Sequence, residues 1–170
     1  MTGGENGLCR MVYRIVAACR KNTECLSLPA AVGESGFADE LWQDTCCEAF
    51  VALPDRTAYR EFNFSPSGQW AIYDFADYRQ AMRRHLPDAP PKIDCQPTPD
   101  GFVLTVDLPR SLLGPPPWQI GLSCILKYTD GSVDYRALSH AGERPDFHQR
   151  ASFTLHLDSL PPSFDSPDSF

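Results

Sequence analysis

Two groups of residues carry functional groups at spacings that suit chemistry. The first lies between Leu41 and Phe75, in LWQDTCCEAFVALPDRTAYREFNFSPSGQWAIYDF. Here Asp44, Glu48, Glu61 and Asn63 are interleaved with Trp42, Tyr59, Trp70 and Tyr73. Aromatic rings offer apolar faces that stack on a pyranose ring, while carboxylates and amides hydrogen-bond to hydroxyls, so this mixture suits a polyol ligand. Two strand-borne glutamates are also the chemical minimum for glycosidic hydrolysis, when their separation allows it. The second group is the run His140-Ala-Gly-Glu143-Arg144-Pro145-Asp146-Phe147-His148. Histidine with acids can ligate a metal or pair for acid–base work, although this spacing fits no closed metal motif. A plainer reading stands beside each. Buried Trp and Tyr fill β cores with their polar ends satisfied, and Asp146 caps a local turn with His148 held by backbone groups. Phosphate loops, nucleophile elbows and HExxH are absent from the sequence.

These residues sit on runs that read as strands. Thr45–Leu53, Tyr59–Phe64 and Gln69–Phe75 are joined by Pro54-Asp55-Arg56-Thr57 and Ser65-Pro66-Ser67-Gly68, which predicts an antiparallel meander. With a period of two, Phe62 and Phe64 share the core side, and Glu61 and Asn63 face the other way. Cys46, Glu48 and Phe50 share a side of their run, as do Trp70, Ile72 and Asp74. Register decides whether Glu48, Glu61 and Trp70 meet, and periodicity does not supply register. Upstream, Leu8–Val16 and Glu24–Leu28 read as a hairpin about Lys21-Asn22-Thr23. Downstream, Asp77–Leu86 reads as a helix, with Asp77 and Gln80 forming a capping box and Tyr78, Ala81, Met82 and Leu86 on one side. Lys92–Gln96, Phe102–Leu108, Trp118–Tyr128, Val133–Leu138 and Ser152–Leu157 complete the strands. The expected fold is all-β: an antiparallel β-sandwich, jelly-roll-like, of about nine or ten strands with one short helix.

Composition bounds the reading further. The chain has 170 residues, a net charge of -7 and 42% hydrophobic content, which suits one domain with a full core. The acidic balance disfavours nucleic acid, whose phosphates need clustered Lys and Arg. No apolar run approaches the ~20 residues of a membrane span, and the N-terminal residues lack the pattern of a secretory leader, so the expected compartment is the cytoplasm. The seven cysteines form an odd set without metal-site spacing. Sixteen prolines favour turns and edges over helices.

Three stretches resemble the DOMON-like family related to the type 9 carbohydrate-binding modules: LWQDTCCEAFV; YREFNFSPSGQWAIYDF with DYRQAM; and VDYRALSH with PDFHQRASFTL. The resemblance runs from Tyr13 to Leu157, with motif positions Trp42, Glu48, Glu61, Asn63, Ser65, Trp70, Tyr73, Tyr78, Arg79, His140, Asp146 and His148. It departs from the pattern at Cys47, where an aromatic residue is expected, at Tyr135-Arg136, where Tyr-Trp is, and at Lys127, where an acid is. The Gly-rich residues 1–7 and the Pro/Ser/Asp-rich residues 159–170 read as flexible termini of a domain over residues 8–158, and the resemblance implies that this domain is a β-sandwich whose relatives bind sugars or, in other branches, haem. The expected role is therefore a non-catalytic binding module for a carbohydrate or similar small polar ligand, rather than an enzyme. The expected ligand residues are Trp42, Glu48, Glu61, Asn63, Trp70, Tyr73, His140, Asp146 and His148, with Trp42 and Trp70 as the pair that would clamp a sugar. The alternative is a metal-dependent enzyme using His140, Asp146 and His148, or a haem protein with Met11 or Met82 and a histidine as axial ligands.

Overall fold

The computed structural model describes residues 7–16 and 25–159. Ten strands follow one another: β1 Leu8–Val16, β2 Cys46–Ala52, β3 Tyr59–Phe64, β4 Trp70–Phe75, β5 Arg83–Arg84, β6 Lys92–Thr98, β7 Gly101–Pro109, β8 Trp118–Lys127, β9 Val133–Ala137 and β10 Leu155–Leu157. They form two antiparallel sheets. The small sheet has the order β1-β7-β6, and the large sheet β10-β8-β2-β3-β4-β5, with β9 also on β8. The only helical elements among the described residues are 3-10 turns, at Leu41–Gln43, Arg110–Leu113 and Arg150–Ser152. No helix among them is long and apolar enough to cross a membrane.

The sandwich follows from alternation. In β7, Phe102, Leu104, Val106 and Leu108 are fully buried while the residues between them are half-buried, because one face meets the large sheet and the other meets solvent. Facing them are Cys47, Ala49 and Val51 of β2, Phe62 and Phe64 of β3, and Ile72 of β4. Each fully buried Phe or Leu there contributes roughly 1.5–3 kcal/mol. The Tyr13 hydroxyl crosses this core and donates to the Glu48 carbonyl at 2.9 Å, tying the small sheet to β2. β2 differs from β7 in being buried on both faces. Its second face is covered by loops, and that covering leaves a cavity. The β3–β4 turn that fixes the meander depends on Gly68, whose φ of 92° suits glycine alone.

Two sequence expectations are corrected. The segment Asp77–Leu86 is not a helix. Arg79 and Ala81 take left-handed φ values of 52° and 51°, Asp77 bridges to Gln80, and Arg83–Arg84 joins β4 as an edge strand. The stripe Tyr78, Met82 and Leu86 stays exposed, so a helix here would have nothing to bury, and a ten-residue helix without packing is marginal. Tertiary bonds hold the irregular path instead: the Tyr78 hydroxyl and the Arg79 guanidinium donate to Asp146, and the His85 amide to the Ile72 carbonyl. The expected N-terminal hairpin is also not formed. β1 pairs with β7 over its whole length, and residues 25–27 run beside the end of β8, with Leu26 bridged to Tyr128. The expected turn at Lys21-Asn22-Thr23 lies outside the described residues, as does most of each expected flexible terminus.

Candidate functional site

The outer face of the large sheet is set by the pairing of β2 with β3, β8 and β4. Glu48 lies opposite Asn63 on β3 and Ser123 on β8; Glu61 lies opposite Phe50 on β2 and Tyr73 on β4. Directly opposed residues share a face. Glu48, Asn63 and Ser123 therefore form one row, and Phe50, Glu61 and Tyr73 the next. Three loops fold over these rows. The segment with Trp42 comes from one side, the turn with Arg79 and Met82 from the rim, and Pro145–His148 from the other side, behind Tyr135 of β9. Phe153 lies close on this face because Gly121 has no side chain; a Cβ there would stand 2.9 Å from the Phe153 ring. The loops enclose a cavity of about 500 Å³ bordered by Trp42, Glu48, Glu61, Tyr73, Arg79 and His148, among others.

Each buried acid is anchored by one oxygen. Glu48 is 3% exposed and its Oε2 accepts from Ser123 Oγ at 2.9 Å; Glu61 is 5% exposed and its Oε1 accepts from Asn63 Nδ2 at 2.7 Å. Glu48 Oε1 and Glu61 Oε2 accept no hydrogen bond from a described residue, and both side chains border the cavity. Burial, with the neighbouring Glu61 charge, pushes the Glu48 carboxyl up to about 8, so it keeps its proton at neutral pH. Burial also raises Glu61, against the hydrogen bond from Asn63 and the charge of Arg79.

Opposite stands His148. Burial, together with the Arg79 charge, lowers it to about 4, so the ring is neutral at pH 7. Its Nδ1 lies 2.8 Å from the Tyr59 hydroxyl, and that oxygen already accepts the Arg79 backbone N–H at 3.2 Å. In the tautomer in which the tyrosine proton is donated to Nδ1, the imidazole proton lies on Nε2. Nε2 faces Glu61 Oε2 at 3.8 Å, beyond hydrogen-bond reach, and with a neutral ring this is not an ion pair. Ring contacts with Phe50 and Phe75, at 5.1 and 5.2 Å, hold the imidazole in place. Burial alone would raise Asp146, but hydrogen bonds from Tyr78, Arg79 and Gln149 outweigh it and hold the carboxyl at about 2.

The structure brings Trp42, Glu48, Glu61, Tyr73, Asp146 and His148 around one cavity. Trp42 stands edge-on to Tyr73, with ring centroids 6.4 Å apart, and is 40% exposed. Asn63 is fully buried behind Glu61 and acts through it. Trp70 is placed elsewhere, and the expected clamp of Trp42 with Trp70 is not formed. Register sets Trp70 opposite Phe64, on the core side, where it packs between the sheets. His140 does not border the cavity but lies beside Phe147, with centroids 5.9 Å apart. The turn-capping reading of Asp146 also holds, since its carboxylate accepts the His148 amide at 3.3 Å.

Among the described residues no three His, Cys, Asp or Glu side chains come together as a metal site. The Asp146 oxygens are taken by Tyr78, Arg79 and Gln149. Met82 and His148 both border the cavity, but its floor is a pair of carboxyls. An apolar macrocycle would desolvate them without compensation, so these residues do not fit a haem. Arg79, Tyr59, Ser123 and Tyr135 are the cavity and anchoring groups that the sequence-derived set of ligand residues lacks. Ser123 carries a usable signal, its alternation along β8, but Arg79 and Tyr135 arrive through loop folding and strand pairing remote in sequence.

No family model matches the chain, and no curated protein matches it. Among solved structures it is similar to a “putative carbohydrate-binding protein” from Bacteroides uniformis, with a TM-score of 0.53 and 15% identity over 79% of this chain and 70% of that one. At that identity the likeness establishes a shared fold.

Proposed function

We propose that the outer-face cavity binds a carbohydrate or a similar small polar ligand, and that the chain acts as a binding module without catalysis of its own. The observation that carries this is a cavity of about 500 Å³ with half-exposed rings, Trp42 and Tyr135, flanking buried carboxyls that each have an uncommitted oxygen. The size lies within the usual range for small-molecule sites, roughly 300–1,000 Å³. Ring faces take the apolar side of a sugar; Glu48, as a protonated acid, offers both a donor and an acceptor, and Glu61 an acceptor. A ligand hydroxyl between His148 Nε2 and Glu61 Oε2, now 3.8 Å apart, accepts from one and donates to the other. The resemblance of the sequence to DOMON-like and type 9 carbohydrate-binding proteins supports this reading, as does the name of the Bacteroides uniformis structure.

Calorimetric titration with a panel of mono- and disaccharides is the test. At least one sugar should bind saturably, and Trp42→Ala should weaken it by about tenfold or more, the loss expected for a stacking ring worth 1.4 kcal/mol or more. Trp42 is exposed, so the melting temperature should hardly move. Absence of heat across the panel would sink the reading. A second reading is favoured by one observation, the neutral acid Glu48 beside Glu61, which is the arrangement of a proton donor and acceptor. Release of nitrophenol from aryl glycosides, lost in Glu48→Gln, would move the assignment to catalysis.

A further inference from the structure

The cavity is unbalanced in charge. Its acids come from three elements: Glu48 on β2, Glu61 on β3 and Asp146 on the 145–148 loop. The cation at its border is Arg79, whose guanidinium is committed to Asp146 at 3.0 Å. The remaining titratable neighbours bring no positive charge. His148 is neutral, the Tyr59 hydroxyl faces its ring, and Tyr73 donates to Asp39, which also accepts from Arg84. Among the described residues neither floor acid is ion-paired to a lysine or arginine, and only the more distant Arg79 charge reaches them, although each is at least nineteen-twentieths buried. Burying carboxylates without a partner is costly, and sites of this kind are resolved by a proton or by a cationic ligand. Burial raises both carboxyls, and the Glu61 charge raises Glu48 further. At the border stand the part-exposed Trp42 and Tyr135, and aromatic faces attract ammonium groups.

We infer that the ligand of this cavity carries an amine, and that within the carbohydrate reading, on which this rests, the preferred class is an amino sugar with a free ammonium group. The ammonium sits between Glu48 Oε1 and Glu61 Oε2 and donates to both, while the ring stacks at Trp42. Binding it at pH 7 draws the proton off Glu48, so complex formation releases a proton to the buffer.

The experiment compares glucosamine, N-acetylglucosamine and glucose by calorimetry at pH 7, in two buffers of different ionisation enthalpy. Glucosamine should bind roughly tenfold to a hundredfold tighter than glucose, the range of a charge-assisted hydrogen bond. N-acetylglucosamine, whose amide is uncharged, should show no such gain. The glucosamine enthalpy should vary with the buffer. In Glu61→Gln the ratio of glucosamine to glucose affinity should fall to about one, whatever the change in either affinity alone. Glucose and glucosamine binding alike would overturn the amine inference and leave the carbohydrate reading standing. Silence from all three would overturn both. If Glu61→Gln disturbs folding, Glu48→Gln serves in its place, since a protonated carboxyl and an amide have the same shape; retention of the full preference in that variant also overturns the inference.

Discussion

The two faces of β3 are both buried, yet they are built from different chemistry. On the inner face Phe62 and Phe64 are fully dry and meet other hydrocarbon from the small sheet. On the outer face Glu61 and Asn63 are as deeply buried but meet three loops, a cavity and each other. The difference shows what kind of cover each face has. A second sheet delivers continuous apolar area and can exclude water over a whole strand. Loops leave gaps and bring polar backbone and charged side chains, so the residues beneath them must be hydrogen-bonded, and the leftover space becomes a site. Stability is therefore expected to belong mainly to the inner face, and the proposed ligand chemistry to the outer one.

That division is open to attack by mutation. The largest effect is expected from Phe62→Ala, which removes a fully buried ring from the inner face and should cost about 3–5 kcal/mol in urea unfolding. A loss under 1 kcal/mol would mean the inner face does not carry the fold. Next is the pH dependence of the outer face. Glu48 is raised from 4.5 to about 8 on folding, so the native state holds the proton more tightly, and stability falls as pH rises through that window, by up to about 1.4 kcal/mol per unit. His148 is lowered from 6.5 to about 4, so its contribution is present above 6.5 and is lost as pH falls through that window. The slopes oppose each other between 4.5 and 6.5, and from 6.5 to 8 the Glu48 fall is no longer offset by His148, while Glu61, also raised, acts in the same direction as Glu48. Urea midpoints at pH 6 and pH 8.5 should therefore differ in the wild type and converge in Glu48→Gln; equal drops in both proteins would dissociate the trend from Glu48. The smallest effect is expected far from either face. Arg10→Ala breaks the exposed pair with Asp107, at 2.7 Å, and should cost no more than about 1 kcal/mol without changing ligand affinity.

Much of this arrangement was legible in the sequence because strand periodicity is local. Phe62 and Phe64 against Glu61 and Asn63 sort by parity alone, and the turn at Ser65–Gly68 announces the β3–β4 pair. What parity leaves open is register. Glu48 joins the Glu61 face through its pairing with Asn63, whereas Trp70, nearer to Glu61 in sequence, is carried to the core by its pairing with Phe64. The Asp77–Leu86 stretch misled for a related reason. Its spacing is helical, but the surface that would reward a helix is missing, and Asp146, remote in sequence, holds Tyr78 and Arg79 in another path. Arg79 and Tyr135 reach the cavity only through such long-range pairing, which no window of local pattern contains.

The most direct test of the central claim, that the buried acids of the outer face form the ligand site, is a carboxyl-carbon NMR titration. Protein labelled at the glutamate side-chain carboxyl is followed from pH 4 to pH 10, free and with saturating sugar. The account predicts one carboxyl titrating near pH 8, assigned to Glu48 by its loss in Glu48→Gln, and moving on addition of ligand. Glutamates that all titrate below about pH 5.5, in the range of exposed carboxyls, or a Glu48 signal indifferent to a bound sugar, would contradict it.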